Sequence, residues 1–217
     1  MKKIYVLVAS LVILMGTAIA SGKQIPVDIS AEANATWCGT PSGIINCSTY
    51  PTGSHTWDGI GFQIPTTNNA WFAEVAASCG SCQASVTIPV SVSGVKTVYT
   101  LMNTQWGSAS KGLLSITFAA TDESSFTYDL TGGHDIRDYN NDSFTDSIDC
   151  SLPNGEGNKG TVSAWKNGEG QRLDMQIFEL PKSFSSKTLA SVTITDNGAS
   201  NVQRSFIAAM TISTCSP

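Results

Sequence analysis

The sequence predicts an all-β fold, a disulfide-stabilised β-sandwich of jelly-roll type, and three observations carry that prediction. After residue 85 the chain is a succession of short runs rich in Val, Ile, Thr, Phe and Tyr, each closed by Gly, Asn, Asp or Pro. No window combines a helical apolar period with capping residues. Six cysteines, an even number, follow an N-terminus that reads as an export signal.

That signal is residues 1–20. Met1-Lys2-Lys3 is cationic, the next dozen residues are almost unbroken apolar sequence, and Ala18-Ile19-Ala20 is a small-x-small cleavage site before Ser21. The apolar run is shorter than the roughly 20 residues of a membrane span, so a cleaved secretory peptide of bacterial type is expected, with no membrane contact afterwards. Cleavage removes 20 of 217 residues and leaves 197, enough for one large domain spanning 21–217. Two of the 12 basic residues leave with the signal, so ten face 17 acidic ones, net −7. This balance disfavours nucleic acid and anionic membranes as partners. Only 13% of residues are charged, while Ser, Thr, Asn and Gly abound, a surface suited to neutral polar partners such as sugars.

Residues 21–84 are less regular, with Trp37, Trp57 and Trp71 among Gly, Pro and Asn, and read as an extended opening segment with loops packed on the sandwich. Strands are then expected at 85–93, 96–103, 113–120, 125–130, 161–165, 172–180, 190–195 and 205–213. No linker or internal repeat divides the chain. Among the possible disulfide connectivities, pairing of neighbours is favoured: Cys38 with Cys47, Cys79 with Cys82, and Cys150 with Cys215. A redox or zinc role for Cys79-Gly-Ser-Cys82 lacks a βαβ context and further ligands, since the chain has two histidines, His55 and His134.

The most chemically loaded stretch is DIRDYNNDSFTDSID, residues 135–149. From Asp138 its side-chain oxygens fall at loop positions 1, 3, 5, 9 and 12, the EF-hand calcium spacing. Asp138, Asn140, Asp142, Asp146 and Asp149 would contribute side chains and Phe144 its carbonyl, making a structural calcium site. Residues 122–149 hold eight of the 17 acids and one cation, Arg137, so a bound cation would relieve repulsion. Ser143 replaces the usual turn Gly and Asp149 the usual Glu, and no helices flank the loop. The competing reading is an Asn/Asp-rich loop whose side chains cap turns.

Trp57, Trp106, Trp165 and Tyr139 sit beside turn residues. Exposed rings of this kind stack on sugar faces, and Asn103, His134, Arg137 and Arg172 are of the right types to bind hydroxyls, although aromatics near strand ends also plug sandwich cores. Hydrolysis finds less support: there is no G-x-S-x-G and no H-E-x-x-H, so non-catalytic binding is expected rather than an enzyme.

The runs GLLSITFAATDESSFTYDLTGGHDIRDYNND, GQRLDMQIFELPKSFSSKTLASVTITDNG and QRSFIAAMTI, with the earlier GIGFQIP and VYTLMNTQWG, resemble bacterial secreted domains of the galactose-binding-like jelly roll. These include carbohydrate-binding modules of glycosidases, and the resemblance covers about residues 57–213. It implies a sandwich that binds an extracellular glycan through loops at one end, with the HDIRDYNN loop and Trp106 near that end. The ligand-binding candidates are thus Trp57, Asn103, Trp106, His134, Arg137, Tyr139 and Arg172. A surface or matrix protein that contacts other proteins, with no small ligand, is the alternative. Oligomeric state is not legible.

Overall fold

The computed structural model describes residues 22–39, 43–45, 47, 49–73, 84–106, 112, 114–140, 157–197 and 203–214. The expected signal peptide, Cys79, Cys82, Cys150, Cys215 and the loop residues Asp142, Phe144, Asp146 and Asp149 lie outside them.

The strands are β1 Gln24–Val27, β2 Gly53–Trp57, β3 Ile60–Ile64, β4 Trp71–Phe72, β5 Ala84–Ser93 and β6 Val95–Gln105. They continue with β7 Leu114–Ala120, β8 Ser125–Leu130, β9 Gly157–Lys166, β10 Arg172–Glu179, β11 Thr188–Asp196 and β12 Arg204–Thr214. All eight expected strands are present as β5 to β12. One short 3-10 helix, Lys182–Ser186, buries Phe184.

Two antiparallel sheets stack. The larger has the order β1-β12-β6-β10-β9, with β4 also on β12, and the smaller is β5-β11-β7-β8. In β7 buried and partly exposed residues alternate, as a strand with one face on a core must. Its inward Ile116 and Phe118 meet Val98, Met102, Phe178 and Ile212 of the larger sheet. The Phe118 and Phe178 ring centroids are 5.6 Å apart. On the outer face Thr87, Thr193, Thr117 and Thr127 are register partners across all four strands. Their hydroxyls bond in pairs at 2.9 Å (Thr87–Thr193) and 2.8 Å (Thr117–Thr127).

The larger sheet is covered on its second face too, which is why every residue of β12 from Phe206 to Ile212 is buried and all but Thr211 are apolar. That cover is the N-terminal segment. The segment holds four short strands, β1 and β4 joined to β12 in the sheet itself and β2 and β3 lying apart from it, where an extended segment with loops and an entry strand at GIGFQIP were expected. Within it, β2 and β3 form a hairpin closed by Asp58 (φ 48°) and Gly59 (φ 77°), the geometry of a two-residue turn with both central residues left-handed. Phe62 and Ile64 of the hairpin, with Trp37 and Phe72, pack on Leu101, Leu173, Met175 and Phe206. Between its strands this layer is held by side-chain amides. Asn34 exchanges two hydrogen bonds with the Phe72 backbone, at 2.8 and 3.0 Å. Buried Asn69 accepts from Trp37 N–H at 2.8 Å and donates to the Cys38 carbonyl at 2.7 Å. The Cys38–Cys47 disulfide, as expected, ties the same region.

Candidate functional site: the Trp106 end of the larger sheet

β6 ends at Gln105, and the next residue turns its backbone into the left-handed region, Trp106 at φ 62°. A bulky side chain rarely adopts this conformation, which costs on the order of 1 kcal/mol or more and persists only when neighbours enforce it. Here the enforcing group is Asp138. Its Oδ2 accepts the Trp106 backbone N–H at 2.8 Å and its Oδ1 accepts the Asn140 N–H at 2.8 Å. Trp106 is left 44% exposed, the most exposed of the Trp, Tyr and Phe residues among those described.

Residues 131–140 run alongside. Thr104 and Asp138 form a parallel bridge, and Asn140 pairs with Gln171 at the entry to β10. Beneath them lies a buried polar frame. Asp174, fully buried on β10, receives Arg137 through Nε at 2.8 Å and Nη2 at 2.9 Å, and the Asn103 amide at 2.6 Å. Asn103 Oδ1 in turn accepts the Asp174 N–H at 2.9 Å. Bidentate pairing and full satisfaction by hydrogen bonds are what make such a buried carboxylate tolerable. Arg172, 1% exposed, donates to the carbonyls of Asp138 (2.8 Å) and Asn140 (3.1 Å), holding the loop on the sheet.

The sequence-predicted residues therefore divide. Asn103, Trp106, Arg137, Tyr139 and Arg172 converge on this end. Asn103 and Arg172 are buried and bonded to protein groups, whereas Trp106 faces solvent. Arg137 keeps a small exposed fraction. Tyr139 is half-buried and puts its ring edge against Trp37 at 5.1 Å. Burial, then the charge of Asp138, raises the Tyr139 phenol above its ordinary value. The side chain of His134 is 39% exposed, with Nδ1 3.1 Å from Asp135 Oδ1. Trp57 lies elsewhere, half-buried in the hairpin beside Phe62 and stacked at 5.3 Å on His55.

Of the expected calcium ligands, Asp138 and Asn140 fall within the described residues. The Asp138 carboxylate is engaged by two backbone N–H groups, and a guanidinium, not a gap, sits on the carbonyls of both residues. Among the described residues no group of three or more His, Cys, Asp or Glu side chains converges.

The residue that organises the frame, Asp174, was not singled out from the sequence. A signal for it exists: in RLDMQIFE, Arg172 and Asp174 are the only charges in seven residues of an otherwise mainly apolar strand. Charges placed so deep in a strand imply buried partners.

No protein-family model matches the chain, and no curated protein matches it either.

Proposed function

We propose that this chain is a secreted, non-catalytic binding module of galactose-binding-like jelly-roll type that recognises an extracellular carbohydrate at the Trp106 end. The observation that carries the reading is an exposed Trp106 whose backbone is held in a strained conformation by a buried carboxylate. Strain of this kind is retained where it serves a site. A flat, rigid ring loses little entropy on stacking against the CH face of a sugar. His134 and the edge of Arg137 supply polar groups on the neighbouring segment, while Asn103, Asp174 and Arg172 position it. Two antiparallel sheets packed face to face suit the jelly-roll reading. The Cys38–Cys47 disulfide suits export to an oxidising compartment.

Screening the mature protein and Trp106→Ala on a glycan array tests this. Wild type should bind a restricted set of glycans, and the variant should lose at least about tenfold in affinity. Binding to no glycan would transfer the reading to a surface protein that contacts other proteins. A structural calcium on the 138–149 loop belongs to the same reading, and a chelator should then lower the melting temperature. An unchanged melting temperature would leave residues 138–140 held by protein groups without calcium, Arg172 and the Asp138 carboxylate among them.

A further inference from the structure

A surface concavity lies away from Trp106, where β1 and its extension to Ser30 meet the hairpin and residues 65–68. It is a groove of about 1030 Å³. Its walls are the outward hairpin residues Ser54, Thr56 and Gln63, the turn residues Thr67 and Asn68, and Asp28. All six are solvent-exposed. The floor is Gly61, partly buried and paired with Thr56.

Three features make this a built site rather than an accident of the surface. First, the Gly61 backbone is pinned on both sides. Its N–H donates to Gln24 Oε1 at 3.1 Å, and its carbonyl accepts the Thr211 hydroxyl at 2.6 Å. The Gln24 amide also bonds the Gly59 carbonyl at 3.1 Å, so β1 is strapped to the hairpin by one side chain. Second, nothing lies within 4 Å of where a Gly61 Cβ would stand, and its φ is not in the left-handed region. The glycine is required neither by backbone geometry nor by close packing, and its effect is to keep the groove open. Third, the lining carries no fixed positive charge: no Lys or Arg lines it and the sole carboxylate is Asp28, while the His55 imidazole and the rings of Pro26 and Pro65 complete the walls above the buried Phe62. Ser30 holds the Asp28 carboxyl below its ordinary value, so it is ionised at neutral pH.

A groove of hydroxyls, amides, one imidazole, one carboxylate and proline rings offers hydrogen bonds to the hydroxyls of a ligand and apolar contact to its CH faces, and sets a carboxylate against anions. We infer that the groove is a second binding site for a neutral, hydroxyl-rich chain such as a stretch of uncharged polysaccharide. The inference extends the carbohydrate reading above but rests on different residues. Gly61 is tied to Thr211, and Trp106 follows the Gln105–Arg204 pair, so the two sites are seven residues apart along β12, about 23 Å at strand rise. A linear polymer engaging both gains avidity without any new contact.

The test is affinity electrophoresis in soluble neutral polysaccharides (dextran, a mixed-linkage β-glucan, a galactomannan), with polygalacturonate as the anionic control. Wild type, Gly61→Trp, Thr56→Trp, Trp106→Ala and the Gly61→Trp/Trp106→Ala double variant are run after thermal melts confirm folding. Thr56→Trp fills the groove from the paired position and covers the case in which Gly61→Trp fails to fold. The inference predicts that either groove-filling variant weakens retardation by a neutral polymer about tenfold, and that the double variant loses what Trp106→Ala retains. Full retention by both filling variants, with Trp106→Ala abolishing binding, overturns the groove and leaves the Trp106 site standing. Loss in the filled variants with none in Trp106→Ala supports the groove and removes the Trp106 site. Retardation by polygalacturonate in preference to the neutral polymers, or by no polymer, overturns the groove.

Discussion

The two faces of the larger sheet are covered by different means. On one face a four-stranded sheet lays alternating aliphatic and aromatic side chains into a shared core, Ile116, Phe118, Val192 and Ile194 among them. On the other, a segment with one hairpin and little other regular structure brings rings: Trp37 stacks on Phe206 at 3.9 Å and meets Tyr50 at 5.5 Å and Tyr139 at 5.1 Å. The first cover draws order from a strand ladder, the second from large rings, amide clamps and a disulfide. The candidate site grows from the second, because Tyr139 belongs to that aromatic cluster and Asp138 beside it fixes Trp106. Irregular backbone can carry function here because a rigid sheet underlies it.

The largest expected effect is at the frame joining the site to the sheet. Asp174→Ala leaves the Arg137 guanidinium and the Asn103 amide without their carboxylate, and should lower stability by about 3–5 kcal/mol in urea unfolding. A loss under about 1 kcal/mol would mean that the frame does not hold the loop. Trp37→Ala and Phe118→Ala should each cost about 3–5 kcal/mol. Their hydrogen-exchange patterns should differ: Trp37→Ala exposes Gly53–Ile64 first, whereas Phe118→Ala loosens β7 and β11. Identical patterns would erase the distinction drawn between the covers.

Replacing Cys38 and Cys47 by Ala removes a cross-link over a sequence separation of nine residues, worth about 2–3 kcal/mol, and the loss should fall on the aromatic layer. The smallest effect belongs to the outer sheet. The Ser124 hydroxyl, then Lys187, hold the exposed Asp122 carboxyl down to about 2. A carboxyl with a lowered folded value stabilises above its unfolded value near 3.8 and loses that contribution as pH falls toward 2. The stability difference between wild type and Asp122→Asn should therefore be small at neutral pH and vanish below about pH 2. A difference that grew on acidification would contradict this.

The regular cover and the sheet it packs on were legible in the sequence because β-branched runs bounded by turn residues are local signals. Expected limits such as 125–130 coincide with β8, and others differ by a few residues. The N-terminal cover was only partly legible. Its hairpin carried a readable mark, Asp58-Gly59 between Trp57 and Ile60, the dipeptide of a two-residue turn. The contributions of Asn34 and Asn69 had no readable mark, since an amide that substitutes for a strand partner looks like any loop asparagine. At the site, Arg137 and Tyr139 are near neighbours in sequence, whereas Trp106, 32 residues before Asp138, is brought beside them by the Thr104–Asp138 bridge. Depth showed only in part: lone charges in the apolar β10 imply burial of Arg172, but nothing local reveals that Asn103 points into protein while Trp106 points out.

The central claim is that the fixed, exposed indole of Trp106 is the contact surface. It is tested most directly by following the five indole N–H resonances in ¹H–¹⁵N spectra while titrating a glycan that the array identifies. The account predicts a saturable shift of the Trp106 resonance, with those of the buried Trp37 and Trp71 stationary. A Trp106 resonance that stays in place at saturating glycan would contradict it.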